Sequence, residues 1–241
     1  MIDWLLRKDT ADPTVEVAGQ LLPLVIRRNA QARRMTMRLA PDGSEVRVTL
    51  PTWGRSAEAL AFARQRAGWL AGQLAAVPQP VQITHGAQLP FVGEQLAIRH
   101  DPSLARKVSL GEGELLVGGP ATSLQSRLKR WLEGEARRLM ADDLSYYCLR
   151  ASQPQQALML TNAKRRWGSC ARDGTIRINW RLVMAPSHVR RSVVAHEVAH
   201  LVHFDHSPAF HAFLDQIFEG EIAAANRWLK REGKSLYLPM G

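Results

Sequence analysis

Long apolar runs are missing from this 241-residue chain. No stretch nears the ~20 apolar residues that a membrane helix needs. The best candidate, AGQLLPLVI, is short and holds Pro23. Cysteine is scarce too. Cys148 and Cys170 are the only two, which excludes a disulfide framework and fits a reducing compartment. The opening MIDWLLRKDT lacks a basic start, an apolar stretch and a small-residue cleavage site. A cytoplasmic protein with no membrane partner is therefore expected. No internal repeat and no low-complexity segment stands out.

Acidic side chains are outnumbered 22 to 32, for a formal net charge of +10. Between residues 164 and 191, eight basic residues stand against one acid, Asp173. Such a cluster can attract an anionic partner such as nucleic acid. Its arginines are scattered through apolar segments, however, and a solvated basic surface is the simpler reading. The apolar fraction of 46% is that of a soluble globular protein, and the length suffices for one large domain or two smaller ones.

The first hundred residues read as β-rich with one helix. Residues 21–28 and 33–39 are strand-like. The turn APDGS at 40–44 leads into EVRVTLP, where Val46, Val48 and Leu50 alternate with polar neighbours. RSAEALAFARQRAGWLAGQLAAV is alanine-rich and predicts a helix over 55–77, capped by Ser56 and ended by VPQP at 77–80. Short strands are expected over 81–119. A long helix is expected over 122–149, with Leu124, Leu128, Trp131, Leu132, Leu139 and Tyr147 at helical spacing.

ALMLTN at 157–162 reads as a strand. RRWGSC and TIRINWRLV flank ARDG, whose Asp-Gly predicts a hairpin. Alternation there puts Ile176, Ile178 and Trp180 on a buried face, and Arg177, Asn179 and Arg181 on a wet one. Two helices follow, then a helix around 221–231 and an extended tail, SLYLPM. The Gly-rich segment near 118–121 is the expected boundary, dividing a β-rich domain over 1–119 from a second domain over 120–241.

The densest chemistry lies in HEVAHLVHFDH, residues 196–206. Ser187 can cap a helix there, and Val189, Val193, Val194, Val198 and Leu201 give it an apolar side. On that helix His196 and His200 stand one turn apart on one face, about 6 Å along the axis. Two imidazoles so placed can meet one Zn²⁺. Glu197 points beside the metal and suits a general base acting on water.

A catalytic zinc needs a third protein ligand. His203 lies about 10 Å along the axis from His196 if the helix is intact, too far for one ion. His206 sits in FDHSP, where Ser207 and Pro208 open the next helix. A chain leaving the first helix between about 202 and 206 can bring His206 back to the ion. The count H-E-x-x-H-x5-H is that of the metzincins, without their midpoint glycine. Glu219 and Glu221 are alternative third ligands. Zinc would lower the pKa of water towards ~7, and Glu197 would take the proton and pass it to a leaving amine.

RRWGSC (165–170), INWRLVMAP (178–186), VVAHEVAHL (193–201) and HSPAF (206–210) occur in that order. Together they resemble the YgjP-like zinc metallopeptidases, a bacterial group related to SprT and WLM-type proteases. The resemblance spans about residues 20–235. It implies an α+β fold with a zincin-like C-terminal domain: a metal helix, a backing helix and a small antiparallel sheet. It implies one zinc per chain on His196, His200 and His206, Glu197 as base, and peptide or protein substrates. It favours His206 over Glu219.

Zincins pair an edge strand with extended substrate, and RRWGSC or TIRINW is the expected edge. Trp167, Gly168 and Ser169 are candidate substrate contacts, with a bulge that packs Trp167 into the core as the alternative. Asn179 could support the site. Cys170 reads as a buried small residue. Arg165, Arg166, Arg177 and Arg181 could bind an acidic partner. His188, His211 and Tyr237 are candidates for stabilising an oxyanion. A nucleotide or other phosphate-bearing substrate, or a nucleic-acid-associated zinc protein, are rival readings. Related SprT-like proteins act on proteins stuck to DNA.

Overall fold

The computed structural model describes residues 13–40, 43–77, 82–164, 166–237 and 239. The chain divides into two compact units, Met1–Pro78 and Gln79–Gly241. Among the described residues no helix is long and apolar enough to cross a membrane.

In the first unit, β1 (Thr14–Val17), β2 (Gln20–Arg28), β3 (Thr36–Leu39) and β4 (Val46–Leu50) form a sheet in the order β1-β2-β4-β3. Ala18 and Gly19, with φ of 50° and 78°, make the two-residue hairpin between β1 and β2. The alternation in β4 is as expected: Val46, Val48 and Leu50 are buried. They pack on Ala59, Ala63 and Leu70. The helix expected over 55–77 is two, α1 (Ser56–Gln65) and α2 (Ala67–Ala75). Arg66 leaves helical geometry at φ −102°, ψ 17°, and Gly68 just beyond it favours helix poorly. The N-cap is Arg55, whose backbone amide donates to Glu58 at 3.2 Å, so the cap falls one residue before Ser56. Pro41, Asp42 and the stop at 78–80 lie outside the described residues.

In the second unit, β5 (Gln88–Phe91), β6 (Glu94–Asp101), β7 (Val108–Leu110) and β8 (Glu114–Gly118) form a sheet in the order β5-β6-β8-β7. Its pairing repeats that of the first sheet: antiparallel hairpin, parallel inner pair, antiparallel outer strand. A helix follows each sheet. The chain therefore contains an internal repeat that the sequence reading missed. Its trace is faint, in Ile26-Arg-Arg-Asn against Ile98-Arg-His-Asp, and in Ala32-Arg-Arg-Met-Thr-Met against Ala105-Arg-Lys-Val-Ser-Leu.

The division expected at 119/120 falls instead at 78/79. Leu89, Phe91, Leu96, Ile98, Leu115 and Val117 of the second sheet share one core with α3 (Leu124–Arg150) and the rest of the unit. The apolar stripe of α3 serves sheet and C-terminal helices alike, so the chain has no break there. Beyond α3 come β9 (Leu158–Thr161), β10 (Gly168–Cys170) and β11 (Ile176–Asn179). This small sheet is mixed rather than antiparallel: β11 pairs antiparallel with β10 and parallel with β9. Gly174, at φ 82°, makes the Asp-Gly turn between β10 and β11.

The strand through TIRINWRLV stops at Asn179, and residues 180–184 coil into a 3₁₀ turn. Arg181 therefore leaves the wet face. It is fully buried, with its guanidinium over the rings of Trp180 at 4.5 Å and Tyr237 at 4.6 Å. Three helices complete the unit: α4 (Ser187–Ala199), α5 (Pro208–Ile217) and α6 (Ile222–Glu232). The tail expected to be extended forms a 3₁₀ turn over Gly233–Tyr237; residues 238, 240 and 241 lie outside the described residues.

Candidate active site

α4 is held from behind before it carries any chemistry. Arg190 on α4 donates to Asp143 on α3 at 2.7 Å, both side chains nearly inaccessible. Arg191 bonds Tyr147 Oη at 3.1 Å and pairs with Glu219 at 2.5 Å. Tyr147 Oη in turn donates to Glu219 at 2.9 Å. Burial, the largest cause, and the neighbouring Glu219 carboxylate hold the Tyr147 phenol well above its usual value. Pro186, not Ser187, is the N-cap of α4.

The helix then stops where the chemistry needs it to. α4 ends at Ala199, and the chain tightens through i−3 bonds from Leu201 to Val198 and from Val202 to Ala199. Ser207 caps α5 by accepting from the Phe210 amide at 3.4 Å, with Pro208 in its first turn. The reversal between the two helices returns His206 to α4. No midpoint glycine is needed, because no residue from Leu201 to His206 takes a positive φ.

His196, His200 and His206 converge, with ligand atoms within 4.8 Å of one another. The Nε2 atoms of His196 and His206 are 3.1 Å apart. Nδ1 of His200 lies 2.9 Å from the His203 carbonyl, so Nδ1–H donates there and Nε2 keeps its lone pair. His203 thus orients a neighbour through its backbone while its ring packs on Phe213 at 5.6 Å. Phe210, which the sequence reading did not single out, has its centroid 5.0, 4.6 and 4.9 Å from the three imidazoles and forms their apolar floor. The Ser207-Pro208 start, which puts Phe210 in the first turn of α5, was the available clue. Burial, followed by the imidazoles of His200, His206 and His211, lowers His196 to about 4. A neutral imidazole is the form that ligates a metal.

Glu197 is only 6% exposed. Burial pushes its carboxyl up to about 7, against the backbone amide of Cys170 and the charge of Arg166, which both pull it down. A cleft of about 200 Å³ opens beside it, lined among others by His196, Trp167, Gly168 and, from α6, Asn226. Asn226 is a polar lining residue that no motif announced. Gly168 borders the carboxylate so closely that a Cβ there would sit 2.7 Å from Glu197 Cγ. The expectation was close approach of another backbone, and the neighbour found is this side chain. Trp167 lines the cleft and also packs on Gly233 and Tyr237. Ser169 is half-buried on β10, opposite Arg177. Among the described residues β10 is one of the sheet's two edges, with β9 the other, so of the two expected alternatives RRWGSC lies at an edge and TIRINW forms the central strand.

Other candidates lie elsewhere. Asn179 is fully buried: its Nδ2 donates to Ala163 O at 2.9 Å, and its Oδ1 caps the Arg181 amide at 3.1 Å. It supports the fold and is not presented to substrate. Glu219 is engaged by Tyr147 and Arg191, and Glu221 is exposed near Arg227. Among the described residues the three histidines are the one cluster of three or more His, Cys, Asp or Glu side chains placed so that it could hold a metal ion. Of the oxyanion candidates, Tyr237 Oη is spent on Ala163 O and Asn179, and His188 is exposed two turns before His196. Only His211 adjoins the site, 6.4 Å from His206. Arg166 is exposed, Arg177 half-buried and Arg181 buried; Arg165 lies outside the described residues.

Three imidazoles around one point, beside a buried carboxylate, are a donor set that could hold one catalytic metal ion. The chain belongs to the YgjP-like metallopeptidase domain family, whose model matches residues 33–232. No curated protein matches it. Among solved structures it is similar to the metallopeptidase zymogen abylysin of Pyrococcus abyssi, at 21% identity and a TM-score of 0.35, over 42% of this chain and 99% of that one. That likeness is too low to extend beyond the family match.

Proposed function

We propose that the chain is a zinc-dependent peptidase of the cytoplasm that hydrolyses peptide bonds in extended peptide or protein substrates. The observation that carries this reading is the convergence of His196, His200 and His206 on one point beside Glu197. Zinc suits an all-imidazole set, and one ion per chain would supply a Lewis acid and acidify water at the site. The tautomer held by the His203 carbonyl presents His200 Nε2 for ligation. Glu197, with its carboxyl near 7, can take a proton from water at neutral pH and return it to the leaving amine. The open edge of β10 can pair with an extended peptide, with Gly168 and Ser169 at the contact and Trp167 on the cleft wall. Two free cysteines agree with a reducing compartment.

The test is cleavage of an unfolded protein substrate alongside elemental analysis of the purified chain. About one zinc per chain is expected, with cleavage abolished in Glu197→Gln while the zinc stays. Undiminished cleavage by Glu197→Gln overturns the assignment of the base. Absence of zinc from active protein overturns the metal.

A further inference from the structure

Far along α3 from its contacts with α4, the second unit carries three arginines around a cavity of about 590 Å³. Arg127, Arg130 and Trp131 lie at i, i+3 and i+4 on one face of the first turns of α3, and Arg106 comes from the loop before β7. Arg106 and Arg130 are exposed. Arg127 is only 6% exposed, and its Nε has no hydrogen-bond partner. Its other nitrogens reach neutral groups, Nη1 to Ser123 Oγ at 2.7 Å and Nη2 to Pro120 O at 2.9 Å. Among the described residues none of the three has a carboxylate within 4.0 Å. Burying a cation without a counter-charge is costly.

The surroundings compound the positive potential. Ser123, at the N-cap of α3, spends its hydroxyl on Arg127 and makes no side-chain cap to the helix amides. A 3₁₀ turn over Ala121–Ser123 leads directly into this 27-residue helix, with the Leu124 amide donating to Ala121 O, so the amino end of the helical run lies at Ala121 and adds its partial positive charge on the side of Arg127, whose Nη2 reaches Pro120 O. Gly119, at φ +85°, lets them come together: a Cβ there would stand 2.6 Å from Arg106 Cγ and 3.1 Å from Arg127 Nη1. The internal repeat shows that the architecture does not require this cluster. Counted from its first residue, α1 carries Ala59, Phe62 and Ala63 where α3 carries Arg127, Arg130 and Trp131.

We infer that Arg106, Arg127 and Arg130 form a binding site for a phosphate-bearing small molecule of about nucleotide size. Guanidinium groups match phosphate oxygens in paired hydrogen bonds. The volume lies within the range of small-ligand sites. Trp131 gives the cavity one aromatic wall, suited to a ring attached to the phosphates. A concave site with one buried arginine favours a compact ligand over a nucleic-acid backbone, which is met by exposed cations along a track. The site shares no lining residue with the cleft at Glu197 and is independent of the peptidase reading.

Calorimetric titration of the full chain tests it, with pyrophosphate and with ADP, at constant ionic strength. Saturable binding at one site per chain is expected for both, and tighter binding of ADP if the Trp131 wall is used. In the double variant Arg106→Ala/Arg130→Ala, two exposed positions, affinity should fall at least about tenfold. Arg64→Ala/Arg66→Ala, a matched charge loss in the first unit, should leave it unchanged. Equal weakening by both double variants, or no saturable binding of either ligand, overturns the proposal. So does a single-stranded oligonucleotide that binds through Arg106 and Arg130 and is not displaced by pyrophosphate.

Discussion

Gly168 on the edge strand β10 and Glu197 on α4 are in such close contact that no side chain fits between them: an added Cβ would lie 2.8 Å from the Glu197 carboxyl carbon. The glycine therefore sets where the proposed base stands. Gly168→Ala should displace the carboxylate while leaving the three imidazoles in place. Peptide cleavage should fall on the order of 10²-fold, the usual effect of about 1 Å of misplacement, with zinc content unchanged. Loss of zinc together with activity would mean that the glycine serves the helix rather than the carboxylate.

The third ligand can be separated from its glutamate rival by composition alone. His206→Ala should reduce bound zinc well below one per chain, whereas Glu219→Ala should retain it. Glu219 instead accepts from Tyr147 and pairs with Arg191, half-exposed, so its loss should cost about 1 kcal/mol of stability. Full zinc in His206→Ala with depletion in Glu219→Ala would reverse the assignment.

The histidine cluster was legible in the sequence because its geometry is local. Helical spacing placed His196 and His200 on one face, and Ser207-Pro208 announced where the next helix begins, which fixed the window for the turn. Asn179 and Arg181 were misread for a non-local reason. Alternation predicts a face only within a regular strand: Asn179, the last residue of β11, turns its side chain in to cap the following 3₁₀ turn, and that turn buries Arg181. The domain boundary was missed because Gly118 and Gly119 resemble a linker, whereas they belong to the tight exit from β8 that admits Arg106. The repeat was hidden because its sheets conserve pairing order and burial alternation, which many different side chains satisfy.

Asn179 is accordingly expected to behave as a structural residue. Its amide joins Ala163, Tyr237 and the Arg181 backbone inside the protein. Asn179→Ala leaves those partners unsatisfied and should cost about 1–3 kcal/mol in a denaturant titration. Any active enzyme remaining should show an unchanged KM. A raised KM at unchanged stability would return Asn179 to the substrate side.

Tyr147 predicts how the second unit responds to alkali. Its phenol is held above the ordinary value of 10.0, by burial first and by Glu219 after it, against the opposing pull of Arg191. The sign follows from linkage. The unfolded chain releases this proton before the folded one does, so stability is intact below the ordinary value and is lost as pH rises towards the folded value. Between about pH 8 and 11, the wild-type melting temperature should therefore fall more steeply than that of Tyr147→Phe. The variant should begin lower at pH 8, by about 1 kcal/mol, because Glu219 and Arg191 lose a hydrogen-bond partner. Tyr237 is raised as well, but it is present in both proteins and its contribution cancels in the comparison. Parallel slopes for the two proteins would show that Tyr147 ionises as freely in the folded chain as in the unfolded one, and would remove the phenol from the network that braces α4.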